Sequence, residues 1–107
     1  MKTFAEFQIA ANRVPVALRN NRDRLQLPAL GLQEEAGKVG ALLAAASVSG
    51  EFRLTLPQRA ELKDSLSDIL WYAALLGSEC GMTLEELAAH GIAQLQARSR
   101  GFDPDQR

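Results

Sequence analysis

Cysteine and histidine occur only once each in this chain of 107 residues. A lone Cys80 cannot close an internal disulfide, and the absence of a disulfide framework fits a reducing compartment, with the cytoplasm as the expected location. Its setting, after Leu75 and Leu76 and before Gly81, reads as a small hydrophobe at a helix end. His90 has no second His or Cys at ligand spacing, which argues against a zinc site and for helix-surface packing. An excess of one charge is also missing. Twelve basic residues against 13 acidic ones leave a net charge of −1. That balance gives no electrostatic footing for nucleic acid or an anionic membrane. No run reaches the roughly 18 apolar residues needed to span a bilayer. The opening MKTFAEFQIAANR has no continuous apolar stretch, so it does not read as a secretory signal. Internal repeats, low-complexity tracts, a Gly-rich phosphate loop and a nucleophile–base pair are all absent, and no segment alternates with period two for long enough to claim a strand.

What remains is an ordinary globular composition, 47% hydrophobic and 23% charged, at a length suited to one small domain. A single domain over 1–107 is expected, with 1–2 and 103–107 flexible. Breakers around Pro28, Ser47–Pro57 and Gly77–Met82 divide the chain into four helical segments. The first opens on the capping box Thr3-Phe-Ala-Glu6 and carries Phe4, Phe7, Ala11 and Val14 at helical spacing until Pro15 disturbs it. The basic, polar stretch Arg19–Pro28 reads as a connection; Arg19, Arg22 and Arg24 there suit a solvated loop or contacts to phosphate oxygens. The second helix runs from about Pro28 or Ala29 to Ala46 on the stripe Leu32, Ala36, Val39 and Leu43. Gly37 and Gly40 each cost about 1 kcal/mol of helix propensity, which suggests close packing against a neighbour. The third opens on Thr55-Leu-Pro-Gln58 and continues to about Cys80. Its segment ILWYAALL (69–76) is apolar all round, more than a small four-helix monomer covers, so a homo-oligomer is expected. The fourth opens on Thr83-Leu-Glu-Glu86 and carries Leu84, Leu87, Ile92 and Leu95; the tail beyond Arg98 is polar, with order expected only around Phe102. The class is all-α, a four-helix bundle.

Polar residues flank the apolar stripes. On the third helix Glu61, Ser65, Asp68 and Tyr72 fall 60–120° to one side of Leu62 at about 100° per residue. On the second, Glu35 and Lys38 flank the core stripe in the same way. Facing helices with carboxylates at i and i+3 can hold a magnesium ion in oxygen ligands, although charges beside a core stripe more often simply face solvent.

The order of these residues resembles the MazG-like all-α nucleoside triphosphate pyrophosphohydrolases. That family carries a Gly-Leu pair leading into E-E-x-x-E, then about two dozen residues, then E-x-x-D with an apolar-Trp-Tyr run. Here the first motif falls on Gly31-Leu32-Gln33-Glu34-Glu35-Ala36-Gly37-Lys38 and the second on Ser65-Leu66-Ser67-Asp68-Ile69-Leu70-Trp71-Tyr72. Phe7-Gln8 and Arg13 resemble the family's opening pattern, and Leu95, Arg98 and Gly101-Phe102 its closing one. The resemblance spans almost the whole chain. It implies a dimer or tetramer of the pyrophosphohydrolase type, a nucleoside triphosphate substrate cut to monophosphate and pyrophosphate, and a Mg²⁺ cofactor that stabilises charge on the phosphates. The implied catalytic residues are Glu34, Glu35 and Asp68; Phe7, Gln8, Lys38, Tyr72 and Arg98 are implied to contact substrate.

Carried over one by one, the family's four metal positions are Glu35, Lys38, Ser65 and Asp68. Only two are carboxylates. Two helix-four positions also depart, with Gly91 in place of Asn and Gln94 in place of a phosphate-holding Lys. Three outcomes follow. Lys38 neutralises the remaining carboxylates and repels Mg²⁺, so that hydrolysis is lost. Or the site shifts one turn, to the literal E-x-x-D of Glu61-Leu-Lys-Asp64, and Glu61, Glu35 and Asp68 hold an ion weakly. Or the pocket binds a nucleotide without cleaving it, with Lys38 contacting phosphate as a point charge. Trp71 suits core or interface better than a stacking platform.

Overall fold

Three threonines set where three helices begin. The computed structural model describes residues 2–14, 21–47 and 53–101. Over these residues the chain forms four helices and no strand: α1 (Phe4–Arg13), α2 (Asn21–Ser47), α3 (Leu56–Glu79) and α4 (Leu84–Gly101). Thr3 accepts the Glu6 N–H at 3.1 Å. Thr55 and Gln58 form a reciprocal capping box, with Pro57 in the first turn. Thr83 accepts from the Glu86 N–H at 3.0 Å, while its own N–H donates to the Glu86 carboxylate at 3.4 Å. Each pair satisfies backbone donors that have no partner inside the helix. None of the helices is long and apolar enough to cross a membrane, among the described residues.

The start of α2 differs from the sequence expectation. Residues 21–27, read as a connection, are helical, and Pro28 lies inside the helix. A proline in a helix removes one i→i−4 hydrogen bond and crowds the preceding turn. Side chains of the added turns find partners: Arg22 donates to Gln26 at 3.0 Å, and Arg24 approaches Glu79 of α3 at 4.0 Å. Arg22 and Arg24 are therefore helical residues, not loop residues. Cys80 is another correction, because its thiol is exposed. It caps α3 through its backbone, its N–H reaching the Leu76 and Gly77 carbonyls at 3.1 Å. Gly81 then turns the chain at φ 72°, a left-handed conformation that glycine adopts without a Cβ penalty. Pro15, Arg19, Phe102 and the tail at 103–107 lie outside the described residues.

The hub of the fold is small. Ala11 of α1, Ala74 of α3 and Leu84 of α4 are buried together, with Phe7, Trp71 and Ala73 packed around them. Trp71 adds a hydrogen bond from its indole N–H to the Ala11 carbonyl at 3.2 Å. The Gln8 amide ties the same region. Its NH₂ donates to Ser78 Oγ and the Met82 carbonyl, both at 3.0 Å, and its oxygen accepts the Leu84 N–H at 3.0 Å. One side chain from α1 thereby fixes the α3–α4 turn and caps α4.

Helix α2 stands apart from this hub. It packs against α3 and against no other helix. The pairing is antiparallel, as Arg24 meeting Glu79 and Gly31 meeting Tyr72 establish.

Candidate functional site

Glu34, Glu35 and Lys38 of α2 and Asp68 and Tyr72 of α3 lie near one another on the α2–α3 pair. The closest approach is at Gly31. A Cβ built there would lie 2.5 Å from the Tyr72 ring, so the missing side chain is what lets the ring rest on the α2 backbone. Tyr72 stacks in turn on Trp71, with ring centroids 4.9 Å apart and planes at 29°. The register set by Gly31 and Tyr72 brings Glu35, one turn further along α2, towards Asp68, one turn back along α3.

Glu35 is buried, at 6% exposure. Its carboxylate accepts a hydrogen bond from Lys38 Nζ at 3.2 Å, and the same ammonium lies 3.5 Å from Glu34. The Lys38 pKa is raised above its ordinary value, first by the hydrogen bond to Glu35 and then by the charges of Glu35 and Glu34. The Tyr72 pKa is also raised. Burial of the phenol is the leading cause; the negative charges of Asp68, Glu35 and Glu34 add to it, and Lys38 opposes it. Lys38 thus pairs with two carboxylates, Glu34 and Glu35, while Tyr72 feels those two, Asp68 and the Lys38 ammonium. Ser65 of α3 is buried, at 6% exposure.

This donor set does not fit a divalent metal. Among the described residues, no group of three His, Cys, Asp or Glu side chains is placed to hold one. A site at Glu35, Asp68 and Glu61 would need three carboxylates converging on one point. The structure instead puts an ammonium on Glu35 and leaves Glu61 exposed.

Beside the charged group lies an open cavity of about 570 Å³ between α2 and α3. Leu27, Pro28, Leu75 and the Trp71–Tyr72 pair form its walls, and Glu34, Arg24 and Asn12 reach its edge. A planar, mostly apolar group with a few hydrogen-bonding edges matches such a lining.

The other candidate residues lie elsewhere. Phe7 packs in the small core. Gln8 is engaged at the α3–α4 turn. Arg98 is exposed in the last turn of α4, a helix without contact to α2. His90 is exposed. Asn12 and the Arg24–Glu79 approach at the cavity edge have no local signal in the sequence, since Asn12 is one polar residue on α1 and Arg24 precedes a helix-breaking proline. No family model, no curated protein and no solved structure matches the chain.

Proposed function

We propose that this protein is a MazG-like helical domain in which metal-dependent hydrolysis has been lost and the bundle persists as a self-assembling module that binds a nucleotide. The observation that carries this reading is the 3.2 Å contact between Lys38 Nζ and the buried Glu35 carboxylate. In the family motif a third glutamate stands where Lys38 stands. An ammonium at that point neutralises the carboxylate that a Mg²⁺ ion would use and repels the ion itself. Ser65 removes the other glutamate.

Pyrophosphate release from a panel of nucleoside triphosphates, with Mg²⁺ and with Mn²⁺, tests the chemical half of the proposal. No turnover is expected; turnover that disappears in Asp68→Ala would overturn it. The double substitution Lys38→Glu with Ser65→Glu is expected to create Mg²⁺ affinity that the native chain lacks, read as a melting point that rises with added Mg²⁺.

The cavity lined by Trp71, Tyr72 and Glu34, one helical turn from Lys38, supports the binding half. An aromatic wall suits a base, and an exposed ammonium suits phosphate as a point charge. A nucleotide is expected to raise the melting point without any divalent metal, and the Lys38→Met variant to lose most of that response. The half-exposed leucines on α3 support assembly with further copies of the chain in the cytoplasm, as a dimer or tetramer.

A further inference from the structure

The cavity between α2 and α3 combines an aromatic wall with four polar groups, those of Asn12, Arg24, Glu34 and Glu79. Its volume of about 570 Å³ lies within the range of small-molecule sites. Tyr72, Leu75 and Glu79 of α3 all line it. Their spacing of three and four residues puts them on one helix face, so the ring wall leads along α3 to a carboxylate. The Trp71–Tyr72 wall suits any base, because every base has a π-face. Choice among bases therefore falls to the polar groups.

Each of these groups has a definite hydrogen-bonding role. The Asn12 amide nitrogen donates to the Gln8 backbone carbonyl at 2.8 Å and to Ser78 Oγ at 2.9 Å. A carbonyl partner fixes which end of the amide is nitrogen, and two acceptors use both of its hydrogens. Asn12 therefore offers a ligand only its oxygen. Ser78 directly precedes Glu79, so Asn12 and Glu79 stand at the same end of the cavity. A carboxylate such as Glu79 only accepts, through two oxygens. The Arg24 guanidinium lies 4.0 Å from it, too far for a hydrogen bond. That approach leaves donors on Arg24 and lone pairs on Glu79 for a third partner. Glu34 differs, because the Lys38 ammonium already lies 3.5 Å from it. The Arg24–Glu79 end thus presents a donor beside a pair of acceptors, with a further acceptor at Asn12.

We infer that the cavity selects guanine, read along its edge by Arg24, Glu79 and Asn12. Among the common bases only guanine presents a carbonyl acceptor, a ring N–H and an amino group in a row. Its N1–H and amino group match the two Glu79 oxygens, its O6 matches Arg24, and the second amino hydrogen matches the Asn12 oxygen. Adenine and cytosine carry a ring lone pair where guanine carries N1–H. Uracil and thymine carry a carbonyl where guanine carries the amino group. Either change sets acceptor against acceptor at Glu79. A site built to hydrogen-bond a ligand rejects one that leaves its groups unpaired far more strongly than an apolar pocket rejects a wrong shape. Guanine selection rests on the nucleotide-binding half of the proposed function, deepens it, and is independent of the chemical half.

The test is calorimetric titration of the full chain, without divalent metal, with GTP, ATP, CTP and UTP. Inosine triphosphate is the fifth probe, since it lacks only the 2-amino group of GTP. GTP is expected to bind about tenfold or more tightly than ATP, CTP and UTP, with inosine triphosphate between, because a matched pair of hydrogen bonds to a base edge discriminates by about that much. Glu79→Gln is expected to erase the GTP advantage and leave the other three nucleotides unchanged, because a glutamine amide accepts at one atom only. Lys38→Met should instead weaken all nucleotides alike. Equal binding of the four nucleotides, inosine triphosphate as tight as GTP, or a GTP advantage that survives Glu79→Gln each overturns guanine selection and leaves nucleotide binding standing. No binding of any nucleotide overturns both, so the two failures are distinguishable.

Discussion

The two long faces of the α2–α3 pair share one backbone register and solve opposite problems. On one face, Glu34 and Glu35 meet Lys38 from the same helix, and Tyr72 from α3 closes over the group. That face finds part of its counter-charge within α2 itself. On the other, Leu66 and Leu70 are half-exposed, and among the described residues no helix but α3 packs on α2. A charge finds its counter-charge within one helical turn, whereas an apolar face needs area, and area has to come from another element. Lys38 offsets part of the charge on one face from within its own helix, whereas among the described residues no third helix packs on α2 to cover the other.

Breaking the apolar face should have the largest effect. Leu66→Arg with Leu70→Arg is expected to abolish the oligomer, seen as a drop to single-chain mass or as loss of the helical signal. Glu61→Arg with Asp64→Arg on the charged face should leave the mass unchanged. The Gly31 contact comes next. Gly31→Ala drives a methyl group into the Tyr72 ring and should cost about 1–3 kcal/mol in urea unfolding. Adding Tyr72→Ala should make that substitution much less harmful, because the clash is then gone. A smaller effect should appear in strong alkali. Lys38 and Tyr72 both have folded pKa values above their ordinary 10.5 and 10.0. A raised folded pKa gives stability that is fully present below the unfolded value and is lost as pH rises through the folded one. Thermal melting should therefore be flat with respect to these two groups at neutral pH and fall above about pH 10, with a shallower fall in a Lys38→Met, Tyr72→Phe chain. Glu61→Gln should do least, within about 0.5 kcal/mol, since its exposed side chain is far from convergence with Glu35 and Asp68.

Most of the fold was legible because its signals are local. Thr55 with Gln58 and Thr83 with Glu86 are capping pairs three residues apart, and they start helices where the sequence placed them. The early turns of α2 were not legible. Pro28 is a strong local breaker, and the contact of Arg24 with Glu79 of another helix is not visible in the sequence before it. The site was legible in part. The spacing of Glu34, Glu35 and Lys38 along one helix fixes their meeting, whatever the tertiary structure. The role of Gln8 was hidden because its partners Ser78, Met82 and Leu84 are about seventy positions away and include backbone groups with no sequence signature. Gly31 lay between the two outcomes: its place before the paired glutamates was plain, but its partner ring on α3 was not.

The tie between α1 and the far end of the chain also sets an order in time. Helix α1 contacts α3 and α4 but never α2, and Gln8 reaches Ala74 across 66 positions. During synthesis at about 5–20 residues per second, α1 therefore waits roughly 3–13 s before the first surface it can pack on has been made. Through most of that interval only α1 and α2 have been made, and α2 begins to pair with α3 as α3 emerges, while Phe7 on α1 still lacks its partners Trp71, Ala74 and Leu84. A slowed ribosome lengthens the wait, so α1 spends longer with its packing surface uncovered.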